Sequence, residues 1–180
     1  MSESLLFSPI ALRGITSRNR IWAAPMAQYS APESGVPTDW HLAHLGGMAR
    51  GGAGLVMTEA TAVEPVGRLG NADTGIWNDE QVDAWRRITR FISDMGATSA
   101  IQLAHSGRKG SIRHRGTPLP AEEGGWQVVA PSAIATKVSP NHTHSPATRS
   151  QRSLPPTPTP RAVRSTQDSK WSRSTPRTAT

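Results

Sequence analysis

The chain has 180 residues, 15 prolines, no cysteine and a formal net charge of +7. Its length suits one domain with its own core, and the lack of Cys excludes disulfides, thiolate metal sites and a cysteine nucleophile. The start, "MSESLLFSPIALRG", has neither a basic leader nor a sustained apolar run, and no later stretch reaches bilayer-spanning length, so a soluble, cytoplasmic protein is expected.

The charge is unevenly placed. Residues 1–137 carry 13 basic against 12 acidic residues, a net of +1, whereas residues 138–180 carry 7 against 1, a net of +6. That second stretch also holds 7 of the 15 prolines and 16 Ser or Thr. Such a composition cannot bury a core, so a structured part over 1–137 and a disordered, low-complexity basic tail over 138–180 are expected.

In chain order, "NRIWAAPM" is a short apolar run ending near a proline and predicts a buried strand from Arg20 to Met26. "TDWHLAHLGGMARGGAG" places Leu42, Leu45 and Met48 at three-residue intervals, with Asp39 as a candidate N-cap and a glycine cluster as the stop. "GLVMTEATAV" is a second strand. "NDEQVDAWRRITRFISDMG" puts Val82, Trp85, Ile88, Ile92 and Met95 on one helix face, with Asn78 as N-cap and Gly96 in the left-handed position past the end. "TSAIQLAH" is a third strand, followed by a long loop rich in Gly and Pro.

Strand, helix, strand, helix, strand in short units predicts repeated right-handed βαβ crossovers and a parallel sheet. In such folds ligands gather at the C-terminal ends of the strands, here "PMAQYS", "TEATAVEP" and "QLAHSGRK". The glycines of "GGAGLV" follow a helix and precede a strand, the reverse of a dinucleotide fingerprint, and read as a helix C-terminus.

Gln102 interrupts an apolar strand. Its amide either bonds neighbouring backbone or faces inward to read a flat heterocycle such as a flavin or pyrimidine. Tyr29 either holds a substrate through its hydroxyl, acts as an acid, or packs its ring on a barrel rim. Lys109, in "HSGRKG", belongs either to an anion-binding loop or to a solvated basic one, and His105 has no carboxylate close by in sequence to support a metal site. His41 and His44 share one helical face and are expected on the helix surface. Glu122 and Glu123 are adjacent, with nothing to mark them as an acid/base pair.

"APMAQYS", "GVPTDWHLAHLGGMARGGAGLVMTEATAVEPVGRLG", "LGNADTGIWNDEQV", "IQLAHSGRKG" and "VVAPSAI" together closely resemble the N-terminal part of the Old Yellow Enzyme family, in its bacterial branch, over about residues 5–136. The resemblance implies about three βα units of a TIM (β/α)8 barrel. It also implies FMN as cofactor, NADPH or NADH as reductant, an enone-type small molecule as substrate, and a homo-oligomer. Ala24, Pro25, Met26, Ala27 and Ala60 would lie against the flavin, and Gln102 would hydrogen-bond its pyrimidine edge. Tyr29 and Lys109 would face the substrate. Ala27 stands where many members carry a Cys that tunes flavin potential. The family's substrate-anchoring His pair, its later flavin Arg and its phosphate-binding residues have no counterpart in this chain, so the chain alone is expected to be an inactive fragment.

The tail has a reading of its own. Back-translated from Arg161 to Thr180 and read from the third base of each codon, it permits "RRAV-(D/N)-AGF-(K/E)-VVEVHAAHGY", with the single codon of Trp171 the most restrictive point. The last letters contain the family's His pair, so out-of-frame translation beginning upstream of about residue 145 is expected. The competing reading is a non-enzymatic fragment whose basic tail binds nucleic acid or another polyanion; the near-neutral body does not suggest such a partner.

Overall fold

In the computed structural model, which describes residues 4–113 and 116–132, a hairpin of β1 (Ile10–Leu12) and β2 (Ile15–Ser17) precedes a three-stranded sheet. The sheet contains β3 (Trp22–Ala23), β4 (Leu55–Ala62) and β5 (Thr98–Ala104), all parallel and adjacent in chain order. The crossovers carry α1 (Asp39–Arg50) and α2 (Asp79–Asp94). The expected alternation of strands and helices is present, as is the long loop after β5, which contains 3-10 turns at Gly107–Lys109 and Ala121–Glu123. The described residues belong to one compact unit, Met1–Ala147, and the stretch expected to form a tail lies outside them.

Two expectations about local structure need correction, and one hairpin was not expected. The first strand pairs only over Trp22–Ala23, not Arg20–Met26. Pro25 has no N–H for a ladder, and the chain from Ala24 onward leaves the strand ladder as a connecting segment. Helix α1 is capped by Thr38 rather than Asp39, which is the first helical residue. The β1–β2 hairpin had no sequence signal: its turn places positive φ at Arg13 (54°), while Gly14, the residue that suits such a conformation, occupies the next position.

Helix α2 matches its pattern closely. Asn78 Oδ1 accepts the Gln81 N–H at 2.9 Å, the Gln81 side chain bonds back to Asn78 N, and Gly96 adopts φ 78° past the last turn. Its face of Trp85, Ile88 and Ile92 packs with Leu45 and Ala49 of α1, Val56 of β4, and Ala53 and Ala97 at the strand entrances. Full burial of each large side chain there contributes roughly 2–3 kcal/mol.

The "SRNR" segment closes the base of this core. Arg18 donates to the carbonyls of Ala49 (2.7 Å), Ala53 (2.9 Å) and Met95 (2.8 Å), placing one cation over the C-terminal ends of both helices, where unpaired carbonyls and the helix dipoles favour it.

Candidate functional site

Parallel register fixes which residues share a face of the sheet. Ala23 lies opposite Val56, and Val56 opposite Ser99, on the side covered by the helices. The other side carries Trp22, Leu55 and Thr98, then Met57 opposite Ala100. One extra residue in β4 between Met57 and Ala60 forms a bulge that brings Ala60 directly opposite Gln102. Ala60 is the one exposed residue of an otherwise buried or half-buried β4, and Gln102 is exposed beside it. The Gln102 side chain makes no hydrogen bond among the described residues.

Ala24, Met26 and Ala27 are exposed and Pro25 half-buried in the segment that leaves β3. That segment is tied to β4 by the Gln28 amide, which donates to Glu59 Oε2. Tyr29, the next residue, has φ 51°, a conformation rare for a bulky side chain, and lines an open cleft of about 650 Å³ with Gln28, Asn71, Ile112 and Arg113. Ala60 and Gln102 are not among the residues lining this cleft; they lie on the open sheet face. Lys109 is exposed in the Gly107–Lys109 turn after β5. The candidate residues therefore all lie at or beyond the C-terminal ends of the strands. Register brings Ala60 and Gln102 together, and Tyr29 belongs to a neighbouring cleft.

Two histidines depart from expectation. His41 is buried, at 1% exposure, and its Nε2 lies 3.0 Å from Glu59 Oε1. It escapes the helix surface because it is the third residue of α1, where its Nδ1 accepts the Thr38 N–H at 2.9 Å and its ring packs edge-on to Trp85. His44, three residues on, is half-buried. His105 does have a carboxylate partner, since its Nε2 lies 2.8 Å from Glu64 Oε1, supplied by the loop after β4. No group of three or more potential metal ligands occurs among the described residues.

Arg68 holds the loops around this edge. Its guanidinium lies 5.5 Å from the ring of Trp77 and 5.0 Å from that of Trp126, and donates to the carbonyls of Glu33 (2.7 Å) and Pro65 (3.0 Å). Burial lowers its pKa, against the opposing pull of Glu33 and Asp73. Asp73 accepts the Leu69 and Gly70 N–H groups at 2.8 and 2.9 Å, yet burial raises its pKa overall. Neither Arg68 nor Glu59 stood out in the sequence. The available signal was a charge inside or just after a strand of buried residues, where it requires a partner.

A planar aromatic cofactor fits the exposed sheet face on the donor set alone. Ala60, Ala24 and Ala27 are exposed small side chains, and Gln102 offers an amide with donor and acceptor unused by the described residues. Fold and site together define the N-terminal part of a TIM barrel with its candidate site at the strands' C-terminal edge.

The profile of the NADH:flavin oxidoreductase / NADH oxidase family matches residues 5–149. An NADH:flavin oxidoreductase of Gibberella zeae is 46% identical over 142 residues, covering 76% of this chain and 34% of that protein. An NADPH dehydrogenase of Listeria welshimeri is 47% identical over 133 residues, covering 73% and 36%. Among solved structures, the old yellow enzyme homologue from Zymomonas mobilis superimposes with a TM-score of 0.61 at 37% identity, covering 73% of this chain and 34% of that one. Morphinone reductase in complex with tetrahydroNAD gives 0.61 at 32% identity, with the same coverage. The chain belongs to the NADH:flavin oxidoreductase / NADH oxidase family, whose solved members here include Old Yellow Enzymes. It spans about a third of the length of these relatives. No helix among the described residues is long and apolar enough to cross a membrane.

Proposed function

We propose that this chain supplies the flavin-facing floor of an FMN-dependent NAD(P)H oxidoreductase of the ene-reductase type. The observation that carries the reading is the bulge-set pairing of exposed Ala60 with exposed Gln102. Bound FMN would supply the redox chemistry, taking hydride from NADPH or NADH and delivering it to the activated C=C of an enone-type small molecule.

The roles of the residues follow from their chemistry. Ala24, Ala27 and Ala60 leave room for a flat ring, Pro25 and Met26 would lie against it, and Gln102 can donate to and accept from the pyrimidine edge of that ring. Tyr29 would orient the substrate through its hydroxyl, and Lys109 would set a positive potential at the mouth. The substrate-oxygen and phosphate anchors of an ene-reductase lie beyond this chain's counterpart of the fold, so turnover by the chain alone is not expected, and a homo-oligomer belongs to the complete enzyme.

The test is titration of the purified chain with FMN, following quenching of flavin fluorescence. Saturable quenching that weakens about ten-fold in Gln102→Leu supports the reading, since one or two lost hydrogen bonds have that size. Absence of saturable quenching counts against it.

A further inference from the structure

We infer that Glu59 and His41 are positioning residues that set the backbone of the Met26–Tyr29 segment. The inference rests on the proposed reading in one respect: that reading makes this segment part of the flavin and substrate site.

The geometry is a relay through three parts of the fold. Glu59, on β4, is 4% exposed and points its two carboxylate oxygens at different donors, the Gln28 backbone N–H and His41 Nε2. The Thr38 N–H donates to His41 Nδ1 and the Thr38 hydroxyl lies 3.1 Å from the same atom, so Nδ1 is the acceptor and Nε2 carries the proton toward Glu59. The start of α1 thus fixes the imidazole, the imidazole fixes the carboxylate, and the carboxylate fixes the amide of Gln28.

What that amide controls is the next residue. Tyr29 sits at φ 51°, a backbone state that persists only where the surroundings over-determine it. Two bonds within the segment are local: Gln28 Nε2 donates to Met26 O at 2.9 Å and Ser30 Oγ to Gln28 O at 2.9 Å. Trp40 Nε1 adds an exposed bond to Gln28 Oε1 at 3.3 Å. Ala31 N then bonds Ala72 O at 3.1 Å. Among these bonds, the contact to Glu59 is the one that joins the segment to β4, through a carboxylate that is itself 4% exposed. A buried carboxylate with only structural work could take any donor; this one takes the amide preceding the left-handed tyrosine.

The experiment uses the full chain without cofactor. Hydrogen exchange by mass spectrometry compares a peptide covering residues 26–31 with one covering the middle of α2, in wild type, Glu59→Gln, His41→Leu and His41→Gln. Glutamine at the third helical position can accept the Thr38 N–H and donate to Glu59, so His41→Gln is the conservative rescue. The expected result is exchange at residues 28–30 about ten-fold faster in Glu59→Gln and His41→Leu, with α2 unchanged and His41→Gln close to wild type. Unchanged exchange at 28–30 in Glu59→Gln, an equal acceleration in α2, or His41→Gln behaving like His41→Leu overturns the inference. FMN titration of the same proteins separates the two readings. If wild type binds no FMN, the proposed function fails and exchange still decides the clamp. If Glu59→Gln binds FMN as tightly as wild type, the positioning role is overturned.

Discussion

The guanidinium of Arg68 lies 5.0 Å from the centre of the Trp126 ring, while the Trp126 indole N–H donates to Val66 O at 3.1 Å, so cation and ring hold the two long loops after β4 and β5 against each other. With 9% exposure, Arg68 is buried between two indoles and bonded to the backbone carbonyls of Pro65, in its own loop, and of Glu33, in the loop before α1. Replacing it by Lys keeps the charge and loses the planar fork. Arg68→Lys is expected to cost about 2–3 kcal/mol in urea unfolding, and to shift the tryptophan emission of the native state.

Gly54 allows three segments to meet. A Cβ at this position would stand 2.5 Å from Asn19 O, Asn19 Oδ1 and Ser17 Oγ, while Gly54 N bonds Ile21 O at 2.7 Å and Gly54 O accepts from Thr98 N at 2.9 Å. Gly54→Ala must push the "SRNR" segment away from the sheet entrance. A loss of about 2–3 kcal/mol is expected by thermal or urea unfolding, whereas Gly14→Ala, which meets nothing within 4 Å, should stay within about 1 kcal/mol of wild type.

Asp73 makes stability fall as pH rises. Its folded pKa is raised above the ordinary value of 3.8, chiefly by burial, with the Glu59 charge adding to the rise. The folded state therefore holds its proton where the unfolded state has lost it, so this contribution is complete below about 3.8 and is lost as pH climbs through the folded value. In Asp73→Asn, whose side-chain oxygen can still accept the Leu69 and Gly70 N–H groups, that downward slope should flatten. Urea midpoints measured from pH 4 to 7 in both proteins check it.

Ala60→Leu probes the sheet face without touching the core. The added side chain projects from an exposed position opposite Gln102, so stability should remain within about 0.5 kcal/mol while FMN quenching is lost. Loss of quenching together with loss of stability would instead mark Ala60 as a packing position.

Strand β5 has exposed apolar side chains at its open margin. Ile101 is 37% and Leu103 62% exposed, on the face opposite Gln102, and β5 pairs with β4 alone among the described strands. Such an edge pairs with other chains unless charge interrupts it. Leu103→Lys is expected to move the purified chain from large assemblies toward monomer in gel filtration and to leave its unfolding midpoint unchanged.

The sequence by itself determined the elements whose signals are local. The apolar spacing of Trp85, Ile88 and Ile92, the cap at Asn78 and the glycine at 96 specify α2, because helix faces and caps depend on residues three or four apart. The order of its motifs likewise brought Ala60, Gln102 and the Ala24–Ala27 segment to one sheet edge, since parallel βαβ units place every strand's C-terminal end on the same side. Tertiary structure decided the rest: that a bulge sets Ala60 opposite Gln102, that His41 turns inward to Glu59, that Glu64 reaches His105, and that Arg68 lies between Trp77 and Trp126. The polar partners among these lie 18 and 41 positions apart in the chain. No local period records such a pairing, because a buried charge acquires its partner only when the strands and loops that carry them are packed together.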